Sequence, residues 1–176
     1  MMIIQLPQVM KISAAKKRVV IRKGDVFCVI LSNCKKAFFQ YVEDDKTQLN
    51  SSVIKVFRQI YEEDYLPDLE RIVQDEVLFY AHTMLRVGLK QGIWEKVGNV
   101  KQKEELEIYK FRLFEEINFS QITKSYSWYI WEINSPVLFI GELSNEYKVY
   151  ELGFVFSPFN ILYRVENGTY DMKMIE

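Results

Sequence analysis

The chain has 176 residues, 49% hydrophobic and 15% aromatic, with only 4 Pro and 7 Gly. That length fits one domain and is tight for two, and the composition excludes a disordered chain. A pI of about 6.0 excludes the domain-wide basic bias of a nucleic-acid module.

The net charge of −1 is unevenly distributed. Residues 1–36 carry eight bases against Asp25 alone, and residues 43–76 carry ten acids against four bases. Two readings stay open. Basic and acidic elements lie side by side and offset each other, or the acidic stretch is a patch for a basic partner.

The N-terminal MMIIQLPQVMKI has no basic stretch ahead of its apolar run, which Pro7 and Lys11 interrupt. No secretion signal is expected. No window approaches the ~18 apolar residues of a membrane span. Cys28 and Cys34 make no disulfide framework, which points to a reducing cytoplasm.

Residues 19–31 read as a strand, with Lys23-Gly24-Asp25 as a bend before VFCVIL. Ser32-Asn33-Cys34-Lys35 is turn chemistry, and KAFFQYVE, residues 36–43, forms the return strand of a hairpin. Asp44-Asp45-Lys46 and Asn50-Ser51-Ser52 read as loop, followed by a strand over 53–61. Residues 62–76 form a charged connection with a helical turn after Pro67. VLFYAHTML, residues 77–85, is an apolar strand, Leu89–Gly92 a turn, and IWEKVG, 93–98, another strand.

Residues 100–125 read as helix first and strand second, because KQKEELE favours helix while Tyr109, Phe111 and Leu113 alternate with Lys110 and Arg112. Strands follow over 126–133, 137–143 and 149–156. In SPFNILYRVENG, Ser157 can cap, Pro158 suits the first helical position and Gly168 the end, with Phe159, Leu162, Tyr163 and Val165 as the buried stripe. TYDMKMIE reads as a fraying tail or an edge strand.

The expected fold is α+β. It is a predominantly antiparallel twisted sheet or partly open barrel with one or two short helices, one near 158–166. A single domain over 1–176 is expected, with a 1–14 extension, a 15–168 body and a 169–176 tail. No internal repeat or linker divides it.

Catalytic motifs are absent from the sequence. His82 is the single histidine, lies within an apolar strand and has a core or surface reading by default. A nucleophile pair would need Cys28 or Cys34 beside it. One His and two Cys lack zinc spacing, and no calcium-loop, phosphate-loop or dinucleotide motif occurs. Neither a metal nor a cofactor is expected. The paired carboxylates, Asp44-Asp45 among them, read as solvated surface. A non-catalytic binding protein is therefore the leading class.

The order of local features resembles a known family. KKRVVIRKGDVFCVIL followed by KKAFFQYVE is similar to the opening of the immunity protein 26 family of bacterial polymorphic toxin systems. LFYAHTMLRVGLKQGIWEKVGN resembles its strand-turn-Trp-x-x-x-Gly stretch, here Trp94 and Gly98. ELGFVFSPFNILYRVENG resembles its closing segment through Glu151, Gly153, Ser157, Pro158 and Arg164.

The resemblance, over residues 15–168, departs from the family where residues 100–120 lack a Pro-aromatic step. It implies a cytoplasmic protein that neutralises a cognate toxin and has no catalytic residues. It also implies architectural roles for Gly24, Asp25, Trp94, Gly98, Glu151, Pro158 and Arg164, with Arg164 expected to pair with Glu151. Tyr61, Glu62, Glu63, Asp64, Tyr65 and Asp68 are expected to form the toxin contact, as aromatic anchors rimmed by charge. The alternative is a small-molecule or peptide-binding β module, then a Cys–His hydrolase. Neither nucleic acid nor membrane is an expected partner. Self-association is left open.

Overall fold

A computed structural model describes residues 19–101, 109–115, 123–172 and 175. The first sheet contains β1 (Asp25–Ile30), β2 (Lys36–Asp45), β3 (Ser51–Phe57), β4 (Val77–Thr83), β5 (Trp94–Asn99) and, later in the chain, β10 (Val155–Phe156). The second contains β6 (Lys110–Phe114), β7 (Trp128–Glu132), β8 (Leu138–Gly141) and β9 (Glu151–Leu152). Their orders are β10-β4-β3-β2-β1-β5 and β8-β7-β6-β9. All pairings are antiparallel except β10 with β4 and β6 with β9. With α1 (Leu69–Ile72), α2 (Leu85–Gln91) and α3 (Pro158–Asn167), this is the expected α+β layout, built from open sheets rather than a barrel.

Strand alternation sends successive side chains to opposite faces of the first sheet. Phe27, Val29, Phe39, Ile54 and Val56 face a layer formed by Leu85, Leu89, Ile161, Leu162 and Val165 of α2 and α3. Val26, Cys28, Phe38 and Phe57 face α1 through Leu69 and Ile72. Farther along that second face, Val42 and Val53 pack against Phe111 and Trp131 of the second sheet. The aromatics that the composition supplies fill all three layers.

Several boundaries differ from the sequence reading. Asp44, Asp45, Ser51 and Ser52 are strand residues, because β2 and β3 pair as far as Asp45 with Ser51. The turn expected at Leu89–Gly92 is the end of α2, whose C-cap Gly92 has φ of 73°. The 149–156 strand is two strands: β9 joins the second sheet and β10 the first. The alternating reading of 109–113 prevails as β6, whereas 102–108 and 116–122 lie outside the described residues, as do 1–18 with the 1–14 extension.

The C-terminal helix begins and ends as its local chemistry predicts. Ser157 accepts from the Asn160 amide at 3.2 Å, Pro158 occupies the first turn, and Gly168 closes it at φ 77°. Of the expected stripe, Leu162 and Val165 pack against the core and Phe159 and Tyr163 do not. Ile161 is buried, while Phe159 is 62% and Tyr163 38% exposed. After Gly168, Tyr170 and Ile175 are not loose, each being only 5% exposed. Tyr170 stacks on Phe156 with ring centroids 3.6 Å apart.

Candidate partner-binding surface

The Gly24-Asp25 landmark is a buried loop closure. Gly24 has φ of 85°, its amide donates to Tyr41 O at 2.9 Å, and its carbonyl accepts from Val100 N at 2.9 Å. The Asp25 carboxylate is fully buried and accepts from the Arg22 amide at 2.7 Å, Asn99 Nδ2 at 2.8 Å and Lys96 Nζ at 2.7 Å. It ties the start of β1 to the edge strand β5. Trp94 is core: its indole N–H donates to Leu85 O at 3.0 Å, and its ring meets Phe39 edge-on. Gly98 lies under the Leu69 side chain of α1.

Glu151 and Arg164 meet in a two-pronged ion pair at 2.7 and 3.1 Å. Arg164 also donates to the Tyr170 hydroxyl at 3.1 Å and lies 3.9 Å from the Phe79 ring centroid. Despite burial, Arg164 is held above its ordinary pKa by the Glu151 carboxylate.

Asp45, read from sequence as solvated surface, is the centre of a buried polar cluster. Asp45 is fully buried. One carboxylate oxygen accepts from His82 Nε2 at 3.0 Å and from Trp131 Nε1 at 2.8 Å. The other oxygen receives the Gln48 and Thr47 amides, each at 3.3 Å. Burial pushes Asp45 up, but the bonds from Trp131 and His82 outweigh it and hold the carboxyl below its ordinary range. Burial lowers His82, so a neutral imidazole donates to a charged carboxylate. The cluster joins β2 and β4 of one sheet to β7 of the other.

That geometry leaves no thiol for His82. Three inter-strand steps separate β4 from the Cys28 strand, about 14 Å across the sheet alone. Burial, reinforced by Glu95, pushes the Cys28 thiol up to about 11, while Cys34 is exposed in the β1–β2 turn. A thiol-specific reagent at neutral pH is therefore expected to modify Cys34 rapidly in the native protein and Cys28 only on denaturation. Rapid modification of both would contradict this packing.

The acidic stretch after β3 is held to the sheet by backbone. Lys36 and Tyr61 exchange amide hydrogen bonds at 2.8 and 2.9 Å, and Lys36 Nζ donates to Tyr65 O at 3.1 Å. Tyr61 and Tyr65 stack at 4.2 Å over Phe38, and the Tyr61 hydroxyl donates to Asp75. Tyr61 is only 7% exposed. It is therefore a platform and not an exposed anchor, and Tyr65 is half-buried.

Asp68 caps α1 by accepting from the Arg71 amide. What faces solvent is Glu62, Glu63, Asp64 and Leu66, the last 85% exposed. Glu62 pairs with Lys35 at 2.8 Å, so part of the acidic charge is offset by the basic N-terminal third. Glu63 and Asp64 form no ion pair among the described residues. Together these residues form an acidic ridge around an exposed leucine, fixed to a stacked-tyrosine base.

The family model described as Immunity protein 26 matches residues 22–122, which include the whole of β1–β6, both short helices and the acidic ridge. The chain belongs to the immunity protein 26 family. The match takes in the Gly24-Asp25 and Trp94/Gly98 landmarks of this family member, whereas its Glu151–Arg164 landmark lies C-terminal to the matched residues. No curated protein matches the chain. No solved structure matches it either. No helix among the described residues is long and apolar enough to cross a membrane.

Proposed function

We propose that this immunity protein binds a cognate polymorphic toxin domain in the cytoplasm of the bacterium that makes both, and blocks it by occupying its surface, without catalysis. Membership of the immunity protein 26 family supports the class. The observation that carries the site is the ridge of Glu62, Glu63 and Asp64 around exposed Leu66, on a base too well anchored to need ordering on binding. Pre-ordering spares the entropy of immobilising a loop. Clustered acidic charge speeds the capture of a basic partner.

The test is binding to the toxin encoded beside this gene. Reversing Glu62, Glu63 and Asp64 to Lys together is expected to slow association at low salt by roughly 10- to 100-fold, with a much smaller change in dissociation. The salt dependence of association should flatten or invert. An unaltered association rate and salt slope would remove the ridge from the interface, and failure of the unmodified protein to bind or inhibit that toxin would remove the toxin reading itself.

A further inference from the structure

The second sheet ends on β8, and among the described residues no strand pairs with its outer edge. Apart from the ladder to β7, no backbone hydrogen bond of residues 137–141 occurs among the described residues. The stretch reads Pro136-Val137-Leu138-Phe139-Ile140-Gly141 and holds no charge. Leu138 and Phe139 are 57% and 58% exposed, and as successive strand residues they face opposite sides of the sheet. Val137 and Tyr126 are exposed as well, and the Tyr126 carbonyl lies beside Gly141 at the strand's end.

The strand itself is well seated. Ile140 packs with Phe114 and Trp128, and the Phe139 ring rests on Tyr129 with centroids 5.1 Å apart. Sheet edges are ordinarily blunted by charge, by proline or by a covering element. β5, at an edge of the first sheet, carries Glu95 and Lys96. β8 has no such guard within the strand. Its free backbone donors and acceptors are best completed by another strand.

We propose that β8 is a self-pairing edge, which joins antiparallel to the β8 of a second copy of this chain across a two-fold axis. The two Phe139 side chains then lie opposite each other, and the four-stranded second sheet doubles into one of eight strands. Charge selects a second copy as the occupant. An uncharged edge meets its own copy with no like charges opposed. Glu142, just past the strand, is already paired with Lys124. A net charge of −1 leaves little repulsion between whole chains. The edge has nothing to attract a charged partner, whereas the ridge does.

The pairing is isologous and closes, so this edge joins two copies and no more. Val137, Leu138, Phe139 and Tyr126 leave roughly 500 Å² uncovered, the size of a functional patch. Two copies would bury on the order of 1,000 Å² in all, which suits a weak dimer rather than an obligate one. The inference does not rest on the toxin-binding reading, because it uses none of the ridge residues.

The test is the oligomeric state of the full chain, followed by sedimentation equilibrium over a wide concentration range. The mass is expected to rise from 21.0 kDa towards twice that value. Amide hydrogen exchange over residues 138–141 should slow in step with it, a measurement that needs no variant. Phe139→Lys opposes two ammonium groups and is expected to raise the dissociation constant roughly tenfold or more. Phe139→Glu should do the same, and an equimolar mixture of the two variants should recover the dimer. If either variant fails to fold, the exchange rates of the unmodified chain decide. A chain that stays monomeric throughout overturns the proposal. So does a dimer whose β8 amides exchange no slower than the monomer's, or one that Phe139→Lys leaves intact. A monomer that loses affinity for the neighbouring toxin on Phe139→Lys assigns the edge to the toxin, and equally overturns pairing between copies.

Discussion

Asp45→Ala is expected to lose about 3–5 kcal/mol of stability, as read from the urea midpoint, because it removes the charged partner from a buried network. The His82 imidazole and the Trp131 indole would each be left with a buried, unpaired N–H, and the Gln48 and Thr47 amides would lose an acceptor. The damage would reach both sheets, since the carboxylate is the polar tie between β2 and β7. Asp45→Asn keeps the volume and one acceptor oxygen, and should lie between the two. Near-equal stability of Ala and wild type would show that the clip contributes nothing net.

The same network sets a pH dependence. His82 is lowered from its ordinary 6.5, so between 6.5 and its native value the unfolded chain binds more protons than the folded one. Stability therefore falls as pH drops from 6.5 towards the lowered native value. Asp45 is also lowered, from 3.8, so its contribution is complete above that pH and is lost as pH falls through its native value. Two successive losses on acidification are expected. Because His82 is the only histidine, His82→Asn should flatten the first while leaving the acid-most loss in place. A profile between pH 6.5 and 5 that is flat in the parent protein would rule out a neutral buried imidazole.

Gly24→Ala is the second large effect, expected at about 3 kcal/mol from left-handed strain plus overpacking. An added Cβ would stand 2.4 Å from the Val100 carbonyl oxygen, a backbone atom held by Gln40 Nε2 at 2.9 Å. It cannot yield without breaking the Gly24–Val100 bond that fastens the edge strand β5. Gly92→Ala serves as the comparison. Gly92 has φ of 73° but nothing within 4 Å of an added Cβ, so only the strain of about 1 kcal/mol applies. Equal urea midpoints for the two variants would mean that the close approach to Val100 has no energetic weight.

Legibility from sequence tracks the distance over which each feature is decided. The β1–β2 hairpin, the Ser157-Pro158 start and Gly168 stop of α3, and the helical turn after Pro67 were readable because their chemistry acts across three or four residues, although Asp68 caps that turn rather than lying inside it. α2 was missed because Met84 provides no side-chain cap and Gly88 interrupts the apolar pattern. Gly88 is there for a tertiary reason: its missing side chain leaves room for the Trp94 ring. The 149–156 strand was read as one piece because its alternation is continuous. Gly153, where an added Cβ would strike the Trp131 ring, is where the chain passes from one sheet to the other.

The ridge was half legible. Its charge and position along the chain were open to inspection, but alternation could not reveal that Tyr61 is turned inward onto Phe38 and that Glu62 is spent on Lys35. By itself the sequence determined the α+β class, the main strands, the absence of catalytic motifs and, through ordered landmarks, the immunity protein 26 family. Tertiary structure alone decided the fate of the charges. Asp45 and Arg112 sit in ordinary strand contexts, yet one has partners 37 and 86 residues away and the other has an Nε–H with no partner among the described residues. A charge's free energy depends on the solvent and partners around it in space, and neither is encoded in its immediate neighbours along the chain.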